Sequence, residues 1–384
     1  MIKAVINGRI VLPERIIDGN ILISGERIVA AGAVDVPYNA EIIDAKGLYV
    51  GPGFVDEHCH GYNRNGCLIS VDDDPEAVAR EHLRYGTTTL IASSDYSTSK
   101  ETHLKMVLNC IQVLESGKKT SLSGIHLEGP YINRRYGSNA DCGMDYDDAF
   151  CEELFSLVAP YARQCTYAPE EPCAQEVEKK LIKYHITPAI GHTCASPRQI
   201  ERAVAYGAKI ATHLFDANGC TAGVEASAAR TGHPQECTAD ALLAIPGLYY
   251  ELICDSQEMH VTKTNVNLAY RAAGEDRIIL ISDAFADPTP QKNDLDVMYD
   301  QNGTLSGSRL CIAIAAQNFI KFTSADIRIV FKCASTNPAK AMGLYHEVGS
   351  LEAGKLADLV FVDPEFRLKS VIFRGEKIQN AYIA

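Results

Sequence analysis

From residue 50 onward, short β-rich runs alternate with amphipathic helical stretches, and no other feature constrains the fold of this chain as strongly. Strands that take turns with helices lie parallel, because joining two parallel neighbours needs a crossover long enough to hold a helix. Eight strands can be drawn: GFVDEH (53–58), TTTLIASS (87–94), SGIHLE (123–128), CTYAPE (165–170), ITPAIGH (186–192), KIATHLF (209–215), YYELICD (249–255) and IILISDA (278–284). Between them, PEAVAREHLRYG, SPRQIERAVAYGA and TKTNVNLAYRAAG carry Ser, Thr or Asp ahead of the first turn and Gly near the end, the signals that start and stop helices. Eight such units predict an α/β chain with a (β/α)8 TIM-like barrel over 49–346.

The two ends follow a different rhythm. Residues 1–48 (AVINGRIVL, GNILISGERIVAAG, AEIIDAKG) and 347–384 (GSLEAGKLADLVFVD, LKSVIFRGEKI) alternate apolar and polar positions between turn residues, as antiparallel strands do. A lone two- or three-stranded piece is marginal, so both ends are expected to meet in one small β-sandwich module.

Composition removes several classes of function. At 46% hydrophobic and 22% charged, with no apolar run near the ~20 residues of a bilayer span, the chain is expected to have no membrane segment. MIKAVINGRI reads as strand and turn rather than a leader, which makes the cytoplasm the expected location. The 13 cysteines are scattered, often in apolar runs (Cys254, Cys311, Cys333), without CxxC spacing; buried thiols are expected, not disulfides or a thiolate zinc cluster. A net charge of −13 with no basic stripe argues against nucleic acid as partner and for a small-molecule substrate.

In barrels of this kind the chemistry sits at the C-terminal ends of the strands. There the sequence places His58 and His60 after the first strand, Glu128 after the third, His192 after the fifth, His213 after the sixth and Asp283 after the eighth. Alternate residues of a strand share a face, so His58 and His60 can hold one ion between them. Imidazole and carboxylate suit divalent zinc or iron, and six candidates suffice for one or two ions per chain. Among the other histidines, His126 is two residues before Glu128 and can share its face, and His233 and His260 fall in loops. His82, His103, His185 and His346 lie in helical or solvent-facing stretches and receive no function.

The stretches PGFVDEHCHG, GIHLEGPYIN, IGHT, THLFDA, ISDA, STNPAKAMGL and GSLEAGKLADLVFVD, in this order, resemble the N-acetylglucosamine-6-phosphate deacetylase family of the amidohydrolase superfamily over essentially the whole chain. The resemblance implies a core metal held by Glu128, His192 and His213. It implies a second held by His58 and His60 with the glutamate between the ions, Asp283 as catalytic aspartate, and a homodimer. The implied reaction is metal-dependent hydrolysis of the N-acetyl amide of N-acetylglucosamine 6-phosphate.

The departures from the family concern substrate. The loop YINRRYGSNADCGMD lacks the family's histidine and carries Arg134 and Arg135 instead. Asp216-Ala217 stands where the family has Asn-Ala, Arg230 is the candidate phosphate contact, and His260 matches a substrate histidine only across a two-residue insertion. Arginine is well shaped for bidentate contact to an anion, so an anionic N-acyl amino sugar is expected. The altered loops also leave a different N-acyl or cyclic amide as the alternative substrate.

Overall fold

Eight parallel strands, Phe54–Cys59, Thr87–Ser94, Leu122–Glu128, Ala162–Tyr167, Thr187–Ile190, Ile210–Ala211, Tyr249–Leu252 and Ile278–Leu280, hydrogen-bond to one another in chain order. The computed structural model describes residues 1–94, 99–137, 143–219, 237–289, 296–379 and 381–382. The ring closes between last strand and first, where Asp283 N–H donates to His58 O (2.9 Å) and His60 N–H to Ala284 O (2.8 Å). Those two bonds also fix the distance between two elements that carry candidate site residues.

Between the strands the expected helices form at Pro75–Leu83, Pro197–Ala205 and Lys263–Ala273. The Asp74 and Thr262 side chains accept first-turn N–H groups, Ser196 makes a capping box with Gln199, and Gly274 ends its helix at a φ of 72°.

Several strands are shorter than their apolar runs suggest. The fifth, sixth and eighth end at Ile190, Ala211 and Leu280, so His192, His213 and Asp283 lie just beyond the ladder rather than within it. The reason is a local reversal of the backbone: φ is 48° at His192, 27° at His213 and 45° at Asp283. The fourth strand begins earlier than expected, at Ala162, and ends before Pro169.

Both chain ends build one further sheet. Ile2–Val11, Ile16–Ser24, Arg27–Gly32, Glu41–Asp44 and Tyr49–Pro52 join Leu359–Val362, Leu368–Phe373 and Glu376–Lys377. Tyr49–Pro52 had been expected in the barrel, but it pairs with Ile2–Val11 on one side and antiparallel with Leu359–Val362 on the other. The sheet curls, because Ile28 near one edge and Ile372 near the other share a single core with Val5, Ile23, Val50 and Leu359. At Gly51 a Cβ would stand 2.3 Å from the Phe331 ring, so only glycine lets the sheet seat this closely on the barrel. Phe331 stacks in turn on Phe54 and packs at a tilt against Phe366, which extends the barrel core up to that contact. No helix among the described residues is long and apolar enough to cross a membrane.

Candidate metal centre

His58 and His60 both point inward from the end of the first barrel strand, and their Nε2 atoms are 3.2 Å apart. Glu128, ending the third strand, reaches them from across the ring. Its Oε1 is 3.3 Å from His58 Nε2 and its Oε2 is 3.0 Å from His60 Nε2. The same Oε1 lies 2.9 Å from His192 Nε2 and 3.1 Å from His213 Nε2, and those two nitrogens are 3.1 Å apart. Asp283 Oδ1 completes the arrangement at 3.5 Å from both His58 Nε2 and His60 Nε2. Two ligand sets result, His58 with His60 and Asp283, and Glu128 with His192 and His213, joined through the glutamate.

The hydrogen bonds on the far side of each ring test whether these residues fit a metal. His192 Nδ1–H donates to Tyr136 O (2.7 Å), His213 Nδ1–H to Asp216 O (3.0 Å) and His58 Nδ1–H to Glu251 Oε2 (3.1 Å). A neutral imidazole that donates from Nδ1 has a bare lone pair on Nε2. Three lone pairs and two carboxylates therefore face one small space, an arrangement that favours a cation at their centre. The donor set fits a divalent ion.

The electrostatics agree. Burial opposes the charged form of His58, yet Glu128 and Asp283 outweigh it and hold the ring well above its usual range. His213 is likewise raised to about 9, burial being overcome by Glu128. Glu128 is held well below the usual carboxylate range, since His58 and His192 overcome the effect of burial. Each shift says that positive charge is favoured here and negative charge on Glu128 is secure. Strain tells the same story, because positive φ at His192, His213, Phe215, Ala217 and Asp283 gathers in one place where the backbone must re-aim side chains.

The cavity above the centre is lined by His60, Glu128, His192, His213, Asp216, Ala217, Asp283 and Phe285, with Tyr136 and Gly137 on one wall and Thr304–Gly307 on another. His58, His60, Glu128, His192, His213 and Asp283 are thus brought together, and Asp216 and Ala217 line the same cavity. Other candidate residues lie elsewhere. His260 lies outside the cavity lining because both its nitrogens are engaged, Nδ1 with Asp255 Oδ2 (3.1 Å) and Nε2 with Gly307 O (3.0 Å). It supports the wall from behind. Arg134 and Arg135 are exposed, and Arg134 pairs with Asp145 (2.8 Å). Arg230 and His233 lie outside the described residues.

His126 does not reach the cavity. It fills the barrel interior, bonded to Ser93 Oγ and Thr166 Oγ1 (2.9 Å each), and burial with His58 beside it keeps the ring neutral. His82 and His103 are buried rather than solvent-facing. His82, with Asp56 and Cys59, forms a further buried group of ligand-type side chains, but its Nε2 is committed to Gly61 O at 3.0 Å. Glu251, Gln164, Tyr136, Phe285 and the Thr304–Gly307 segment, which runs into the Leu305–Ser308 strand, were missed by sequence reasoning. For Glu251 the available signal was an acid inside the otherwise apolar run YYELIC.

A sequence profile of the amidohydrolase family matches residues 49–378. The chain is 26% identical over 375 residues to an N-acetylglucosamine-6-phosphate deacetylase of Lysinibacillus sphaericus, spanning 93% of this chain and 91% of that one. It is 27% identical over 359 residues to the Homo sapiens deacetylase of the same name, spanning 88% and 85%. Among solved structures, the Pasteurella multocida N-acetylglucosamine-6-phosphate deacetylase superposes with a TM-score of 0.85 at 23% identity, over 99% of this chain and 100% of that one. A mutant of the Mycobacterium smegmatis deacetylase in complex with N-acetyl-D-glucosamine-6-phosphate gives 0.82 at 25% identity, over 98% and 99%.

Proposed function

Because the chain belongs to the amidohydrolase family, we propose that it removes the acetyl group of N-acetylglucosamine 6-phosphate by metal-dependent hydrolysis, releasing acetate and the free amine. The observation that carries this reading is the single point on which Glu128 and four imidazole nitrogens converge. The relatives that span most of the chain carry the substrate name.

In this reading Glu128, His192 and His213 would hold one divalent ion, and His58, His60 and Asp283, beside the same glutamate, would hold a second. Zinc or iron suits these donors. When bound, such an ion lowers the pKa of water and polarises the amide carbonyl. Asp283 is the general base and acid: its carboxylate faces the cavity and is fixed by the backbone bond from Asp283 N–H to His58 O. It takes the proton of the attacking water and returns it to the departing amine nitrogen. Phe285 and the Thr304–Gly307 segment wall the cavity on one side and restrict bulk water.

One observation favours a second reading, hydrolysis of an amide that carries no phosphate. Among the described residues the cavity lining holds no Lys or Arg, and Asp216 adds a carboxylate at the mouth that repels an anion. A panel of N-acyl amines assayed for carboxylate release distinguishes the two. The first reading expects a clearly higher kcat/KM for N-acetylglucosamine 6-phosphate than for N-acetylglucosamine. Equal values for the two sugars, or turnover of neither beside rapid hydrolysis of another N-acyl compound, would favour the second.

A further inference from the structure

We propose that Glu251 is a positioning residue that aims the His58 ring at its metal. Glu251 sits on the seventh barrel strand, Tyr249–Leu252, and is fully buried inside the ring. Its Oε2 accepts from His58 Nδ1–H (3.1 Å) and from the His213 backbone N–H (3.2 Å). Its Oε1 accepts from Gln164 Nε2–H (3.3 Å), and the same amide group donates to Glu57 O (3.1 Å). One carboxylate therefore touches a ligand of each metal set and is itself held by a side chain of the fourth strand.

Two features separate Glu251 from the ordinary support of a ring. His192 and His213 rest their Nδ1–H groups on backbone carbonyls, and among the described residues His60 Nδ1 has no hydrogen-bond partner, while His58 leans on a carboxylate. A carboxylate behind an imidazole fixes its tautomer and raises its basicity toward a metal. The second feature is cost. A buried carboxylate needs compensation, and among the described residues its ion-pair partner is His58. A second buried carboxyl, Glu57, also faces Glu251, and among the described residues the charged partner is the His58 ring of the centre and not a lysine or arginine.

The inference rests on the metal reading above, and zinc titration of the metal-stripped full chain against a chromophoric chelator separates the two. The wild type is expected to show two binding steps, assigned by which step His60→Ala and His192→Ala abolish. Glu251→Leu should weaken the His60 step roughly 10- to 100-fold while moving the His192 step less than about threefold, the scale known for losing a partner behind a metal ligand. Glu251→Gln keeps the volume and one acceptor oxygen but sets an amide against the Gln164 amide. It should weaken the same step by a smaller factor, and it decides the matter if the leucine variant does not fold. Loosening of both steps together, of neither, or a wild type with a single step overturns the positioning role and leaves a metal hydrolase standing. A wild type that binds no zinc sinks the metal reading itself.

Discussion

Glu128→Gln is expected to strip the protein of bound metal and to lower turnover by about 10³ or more, on the order of 4 kcal/mol of transition-state stabilisation. The size of the effect follows from the position of the side chain. Its two oxygens reach both ligand sets, Oε1 toward His192, His213 and His58 and Oε2 toward His60. An amide has the same shape, but its NH₂ must point at one set or the other and present hydrogens to a cation. It also removes the negative charge that would offset a bound cation in a buried site. Elemental analysis of purified protein, beside a carboxylate-release assay, checks this. Two ions per chain with near-native turnover in the glutamine variant would mean that Glu128 is not the shared ligand.

Asp283→Asn is expected to behave differently, keeping fold and metal while turnover falls by roughly 10² or more, the usual scale for a positioned acid–base group. Asparagine preserves the backbone bond to His58 O and retains an oxygen 3.5 Å from the two imidazole nitrogens, so little in the framework changes. What it cannot do is take a proton from water. The informative pairing is kcat with metal content. Metal retained and kcat lost assigns the proton transfer to Asp283, whereas a loss under about tenfold would give that task to another residue.

The candidate residues that the fold brings to one place share a physical reason. A polar side chain directly after an apolar run has few roles, and eight runs in a closed ring bring their ends to one rim. That logic reaches His58, His60, Glu128, His192, His213 and Asp283 without knowing how the strands twist. It fails where the signal lies inside a run. Glu251 and Gln164 occupy strand interiors, and nothing local reveals that the barrel lumen is polar enough to hold them through Ser93, His126, Thr166 and Thr212. His82 reads as an ordinary helical residue until the Pro75–Leu83 helix turns that face onto Gly61. The left-handed backbone at His192, His213 and Asp283 is equally invisible, because none of these is a glycine. His260 misled for the opposite reason, since a loop histidine looks available until Asp255 and Gly307 claim both nitrogens.

The shared terminal sheet has a consequence for how the chain is made. Tyr49–Pro52 has one folded partner, Ile2–Val11, that is already made when it emerges, and the partner of its other flank, Leu359–Val362, is encoded beyond the whole barrel. At roughly 5–20 residues per second, about 300 intervening residues keep that flank open for roughly 15–60 seconds. An open strand flank is a template for any extended chain nearby. Each nascent copy on a crowded messenger exposes the same flank, so the interval before Leu359 emerges is when the protein is most open to pairing with its neighbour. A chain cut short before Leu359 never closes it.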